Sequence, residues 1–184
     1  NLAPRAIGAP VVILEAGRAI LNAFYQAGAL SITIIMVMLF LIFRSVKDVF
    51  FVFAPLILAG IFTLAASALF GLAFNFANVI VLPLLFGLGV AGGIHLVARA
   101  RAIENETMDA PSSTPRAIMF SALTTIGSFG SIALSQHPGT ASMGLLLTIA
   151  ITLTLICTLV FLPALMSYVK SVNQKRTCLR IHHK

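Results

Sequence analysis

The segment Gly87–Arg99, GLGVAGGIHLVAR, places one histidine and four glycines inside a long apolar run that holds no carboxylate. Imidazole titrates near neutrality, so His95 in such a run is a candidate proton carrier. It also lies only four residues from Arg99, about 6 Å of helical rise, where a hydrogen bond to a neighbour or to interfacial water would account for it. Both readings stay open. A second polar set follows at Ser121, Thr124, Thr125, Ser128, Ser131 and Ser135, in steps of three and four that keep it on one helical face. Measured from the ends of their runs, Ser121 lies about as deep as His95. The candidate relay is therefore His95 with Ser121, Thr124 and Thr125. The spacing predicts a hydrogen bond from His95 to Ser121 or Thr125, against the alternative that each hydroxyl bonds back to its own helix. Gly87, Gly89, Gly92 and Gly93 predict close helix packing for the run bearing His95, with Gly89 and Gly93 as a GxxxG pair. In the arrangement expected, this glycine face meets the hydroxyl face.

The elements that must position these residues are apolar helices. Of the 184 residues 59% are hydrophobic and 9% charged, and mean hydropathy is +1.05, too apolar for a soluble domain. Five runs are expected to cross a bilayer as helices of about 20 residues: Ala27–Phe43, Val49–Phe70, Ala77–Ala98, Ala117–Ser135 and Ala141–Tyr168. Their continuous apolarity argues against a membrane barrel, whose strands alternate. Val11–Gln26 is amphipathic, with Glu15 and Arg18 on its polar side. It reads as a surface helix bending or running into the first span, or as a plain extension of that span. Pro55, Pro83 and Pro163 lie in or near spans, where neighbouring helices tolerate kinks. Asn75 and Asn78 suit a cap for the third span, and His137-Pro138-Gly139 suits an outer turn. The fold class is thus an all-α polytopic membrane protein of five transmembrane helices with an N-terminal amphipathic helix. Three regions are expected: 1–26 ahead of the bundle, the bundle at 27–169, and a basic tail at 170–184.

Charge sets the orientation. Ten of the twelve Lys and Arg residues lie in the links after spans one and three or after span five, Arg5 and Arg18 being the other two. The links GLAFNF and QHPGT hold none. The basic edge and the C-terminus are therefore expected on the cytoplasmic side. The net charge of +7 is accounted for by topology, and a nucleic-acid partner is excluded. Cys157 and Cys178 lack the spacing and setting of a disulfide framework. His182 and His183 have no companion ligands, so no metal is expected. No GxSxG, HExxH, phosphate-binding loop or Cys-x-x-Cys occurs, and neither a cofactor nor enzymatic activity is expected.

The segments FRSVKDVFFVFAPLILAGIFTLAASALFG, FNFANVIVLPLLFGLGVAGGIHLV, SALTTIGSFGSIALSQHPG with the following GLLL, and FLPAL resemble, in order, the membrane half of RND-superfamily permeases. The resemblance is to the MMPL branch, nearest the hopanoid-associated transporters of Gram-negative bacteria, and runs from about Glu15 to Tyr168. It implies the last five helices of one half of a permease, preceded by the end of a periplasmic domain, with the basic tail favouring the C-terminal half. It also implies proton-driven export of hopanoids or similar hydrophobic lipids from the bacterial inner membrane toward the outer membrane. The partners it implies are that lipid, the remainder of the permease and the membrane; a homodimer is left open. Such permeases usually carry an Asp in the third of these helices, followed by Tyr, Asn or Ser and then Gly-Ile-His. Here Ala91 stands at the Asp position, ahead of Gly92, Gly93, Ile94 and His95. Three alternatives follow: the other half carries the proton, His95 substitutes one turn away, or the segment is inactive. A non-transporting lipid-binding or scaffolding module is the competing function.

Overall fold

The computed structural model describes residues 9–72, 80–104 and 113–182, which are helical apart from short links. Asn75 and Asn78 fall outside the described residues, as does 105–112 of the polar link. The helices are α1 (Ala9–Phe43), α2 (Val46–Leu69), α3 (Val81–Glu104), α4 (Ser113–Ala133), α5 (Pro138–Ile156) and α6 (Leu162–His182). A π-helical turn, Cys157–Phe161, joins α5 to α6 in one continuous rod. Pro83, Pro115 and Pro138 all fall in first turns, where a missing N–H costs no intrahelical bond. At the end of α2, Gly71 takes φ +65°. The Leu72 N–H bonds to the Ser67 carbonyl and the Gly71 N–H to the Ala68 carbonyl, a Schellman motif that needs the left-handed residue.

Of the readings of Val11–Gln26, the one in which it extends the first span holds: α1 runs unbroken for 35 residues. That is about 52 Å at 1.5 Å per residue, well beyond a hydrocarbon core of about 30 Å. The count of helices long and apolar enough to cross a membrane by themselves is corrected from five to four. Among the described residues, Leu14–Phe43, Val46–Leu69, Val81–Ile103 and Pro138–Val172 are long and apolar enough to cross a membrane. The run expected as the fourth span is helical, as α4, but falls short. Its hydroxyls at Ser113, Thr114, Ser121, Thr124, Thr125, Ser128 and Ser131, with Arg116, dilute its hydropathy, and none of its residues is fully buried.

Helices α2, α3 and α5 form the centre. One core cluster joins Leu39 and Phe43 of α1 to Val52 and Leu56 of α2, Leu96 and Val97 of α3, and Leu162 of α6. A second, toward the other end, joins Val81 and Leu85 of α3 to Leu146, Leu147 and Ala150 of α5. Small residues set the approaches. A Cβ added at Gly93 would lie 3.0 Å from Val52 Cγ1, and one at Gly89 would strike Leu56 of α2 and Thr154 of α5. Gly89 and Gly93 on α3 thus pair antiparallel with Leu56 and Val52 on α2. Between α5 and α4, backbone meets backbone. A Cβ at Gly144 would fall 2.5 Å from the Ala133 nitrogen, 2.8 Å from the Ile132 carbonyl carbon and 2.8 Å from the Phe129 oxygen. All three are backbone atoms, which cannot turn aside.

Polar contacts close one end of the bundle. Asp48, in the first turn of α2 and 8% exposed, forms an ion pair with Arg101 in the last turn of α3. Arg101 also donates to the Phe43 carbonyl at 2.9 Å, with its guanidinium 5.5 Å from the centre of the Phe43 ring. One side chain thereby holds the end of α1, the start of α2 and the end of α3. Nearby, Arg99 donates to Thr114 Oγ1 at 3.0 Å, joining α3 to the start of α4. The basic links therefore meet on one side of the bundle.

Gly144→Ala is expected to lower stability by about 1–3 kcal/mol through overpacking. Gly127→Ala, in α4 with nothing within 4 Å of the added carbon, is expected to raise it by roughly 0.5–1 kcal/mol. Opposite shifts of the thermal midpoint in detergent check the pair. Asp48→Asn should cost about 1–2 kcal/mol, less than a fully buried pair because Arg101 is part-exposed, read in the same melts.

Candidate functional site

The hydrogen bonds of α4 decide what its polar stripe can do. Thr124 and Thr125 both donate to the Ser121 carbonyl, at 2.8 and 2.9 Å. Ser128 donates to the Thr124 carbonyl at 2.9 Å and Ser131 to that of Ser128 at 2.7 Å. These protons are spent on α4's own backbone, which leaves the oxygen lone pairs as acceptors. Thr154 on α5 does the same, donating to the Ala150 carbonyl at 2.7 Å.

Between α3, α4 and the α5 rod lies a cavity of about 590 Å³. Each wall is one helical face: Leu88, Ala91, Gly92 and His95 from α3; Thr114, Ile118, Ser121 and Thr125 from α4; Ile151, Thr154, Leu155 and Thr158 from α5 and the π turn. The cavity exists because α4 is pinned to α5 at Gly144 and stands off α3 at this level. His95 is exposed to it, as is Ala91 one turn away. Among the described residues no carboxylate lines it.

The structure thus brings His95, Ser121 and Thr125 to one cavity, and leaves Thr124 off its lining. The hydrogen bond expected between His95 and Ser121 or Thr125 is not formed among the described residues; the threonines bond within α4 instead. Gly87, Gly89 and Gly92 line the same cavity as Ser121 and Thr125, so the glycine and hydroxyl faces look onto one space. Gly93 faces α2, Gly89 lies between α2 and α5, and Gly92 lies between α4 and the π turn. A Cβ there would sit 3.4 Å from Ile118 Cγ2 and 3.5 Å from Thr158 Cγ2.

Sequence reasoning missed Thr154, Thr158, Gly144 and the π turn. The signal for the last was Pro163. In a regular helix its ring would press on the carbonyl four residues back and leave that group without a donor. The chain widens first: the Leu162 N–H bonds to the Cys157 carbonyl, five residues back. The widened turn carries Thr158 into the cavity wall. Thr154 repeats the hydroxyl spacing of α4 at Thr158 minus four, a pattern visible in the sequence.

Known proteins were compared against this architecture. The family model described as the MMPL family matches residues 8–179. The hopanoid transporter HpnN of Rhodopseudomonas palustris is 43% identical over 171 residues, 93% of this chain and 20% of the relative. The protein of the same name from Burkholderia multivorans is 45% identical over 163 residues, 89% of this chain and 18% of the relative. A putative membrane protein of Methanocaldococcus jannaschii, MJ1562, is 28% identical over 138 residues, 71% of this chain and 36% of the relative. The chain spans about a fifth of the length of the two hopanoid transporters. With a bundle of apolar helices and a family match over nearly its whole length, the chain belongs to the MMPL family.

Proposed function

We propose that this chain is a membrane segment of a proton-driven RND/MMPL-type exporter that moves hopanoids or similar hydrophobic lipids from the inner membrane of a Gram-negative bacterium toward the outer membrane. The observation that carries the reading is the 43–45% identity to two hopanoid transporters across nine-tenths of the chain. The cavity supports its mechanism. His95 opens into it, and Ser121 and Thr125 offer acceptor oxygens from the facing helix. In this reading His95 takes the proton that Ala91 cannot, and the loaded and empty cavities favour different spacings of α4 from α3. Export requires such a difference, since a proton shifts only an equilibrium whose two states bind it unequally.

The same proposal has α4 cross the membrane packed on α5, although it is not apolar enough to do so alone, and so places the basic edge and the tail at 170–184 in the cytoplasm. Residues 1–26 then lie outside, where the length of α1 carries motion between the bundle and a periplasmic domain. Accordingly, Lys47→Cys should react with an impermeant maleimide only from the cytoplasm, and Leu134→Cys, which is 86% exposed at residue 134, only from the periplasm. The reverse pattern overturns the orientation.

The transport test uses the full-length polypeptide in proteoliposomes, with extraction of a labelled hopanoid measured with and without a proton gradient. His95→Ala is expected to reduce gradient-driven movement to the level seen without a gradient. Ala91→Asp, which restores a titratable group one turn from position 95 on the cavity wall, is expected to recover part of it. Unchanged gradient dependence in His95→Ala removes His95 from the proton path. Absence of hopanoid movement by the unaltered protein under either condition removes the cargo.

A further inference from the structure

A second concavity lies on the outside of the bundle, between the last turns of α1 and the first turn of α2. It holds about 350 Å³ and is lined by Met36, Val37, Phe40, Leu41, Val46 and Val49, all apolar. Five of the six are exposed, Leu41 and Val46 by 69% and 72%. At its foot the chain turns through Arg44, held at φ 49°, to Lys47. Both cations are exposed. Among the described residues neither side chain has an ion pair or hydrogen bond. The carboxylate nearest in sequence, Asp48, is buried and committed to Arg101. The link between the lining residues Leu41 and Val46, continuing to Lys47, therefore carries two uncompensated positive charges at one end of an apolar belt.

We infer that this groove binds an anionic phospholipid, with an acyl chain along Val37, Phe40 and Val46 and the phosphate on Arg44 and Lys47. Two arguments select the occupant. A docked helix wants small residues that let backbones approach, and the groove wall has no Gly, Ala, Ser or Thr. Its long, branched and aromatic side chains suit a flexible hydrocarbon tail. The paired cations at the membrane edge then select the headgroup, each worth roughly a fivefold gain in affinity near a surface. The site is separate from the cavity at His95 and does not depend on what cargo the bundle moves.

The test uses the full-length polypeptide in nanodiscs doped with phosphatidylglycerol or phosphatidylcholine of matched chains, each with a diazirine in one acyl chain. Phosphatidylglycerol is expected to label peptides containing Phe40 and Val46 in clear preference to phosphatidylcholine. Arg44→Gln with Lys47→Gln should weaken that labelling roughly 25-fold, the product of the two cation terms. The exchange Arg44→Lys with Lys47→Arg should retain it. Val37→Trp, which fills the groove, should lower labelling by both lipids. Excess glycerol phosphate should not compete. Equal labelling by the two lipids, retention in the double Gln variant, or competition by free glycerol phosphate would each overturn the inference. So would a Phe40→Cys disulfide between copies in lipid excess, because the groove would then be a protein interface. Melting temperatures of the charge-exchanged and double Gln variants, expected to match, separate loss of binding from loss of fold.

Discussion

At Gly144 two helix backbones touch with no side chain between them, and the rest of the site follows from that contact. A helix as rich in hydroxyls as α4 gains little from lipid and has no fully buried residue with which to anchor itself. Close approach compensates. Backbones at van der Waals distance gain dispersion contacts along their length, which in lipid is the main attraction available between helices. Because Gly144 lies near the start of α5, this contact fixes the C-terminal end of α4. Its other end is held by Thr114 on Arg99. Helix α4 is held at its two ends by different neighbours, and the cavity that His95 lines lies between it, α3 and α5.

The opposite constraint acts at the basic edge. There the helices are held by charge and hydrogen bonds and not by small residues. Arg101 satisfies a carboxylate, a backbone carbonyl and an aromatic face at once, which a guanidinium can do and an ammonium cannot. The Phe43 carbonyl is one of the four that the end of α1 leaves without an intrahelical donor. Its partner comes from α3, so the end of α1 is closed by tertiary contact. This leaves Arg44 and Lys47 as the cations of that link with no internal task.

How much of this was legible in the sequence depends on whether the property adds up along the chain or across it. Hydropathy adds along the chain, so the runs that became α1, α2, α3 and the α5 rod could be read directly. The same sum should have demoted Ala117–Ser135, since its hydroxyls were recognised as a stripe and yet not charged against its apolarity. Helical faces are also local, and His95, Ser121 and Thr125 do share one cavity. What spacing cannot give is the identity of the neighbour. Gly89 and Gly93 announce a tight interface, but only the bundle decides that Val52 and Leu56 fill it. Gly144 opens the GLLL that helps carry the resemblance, but no second glycine at helical spacing marks it as a packing face. The hint was its place just after a short link, where consecutive helices are forced closest.

Substituting an imidazole for a carboxyl group inverts the demands on the cavity. A carboxylic acid that gives up its proton becomes negative and wants N–H or O–H donors around it. An imidazole that gains one becomes positive, has two N–H groups to offer and wants lone pairs. Two hydroxyls of the wall facing His95 answer the second demand. Thr125 and Thr154 have already donated their protons to helix carbonyls, so only their acceptor capacity remains. Had those hydroxyls been free donors, they would have suited an anion at position 91. The hydrogen-bond direction within α4 and α5 is thus coherent with alanine at 91 and histidine one turn below it. In the proposed reading, it gives a physical reason why this wall can serve a proton carrier at position 95 in a cavity lined by no carboxylate among the described residues.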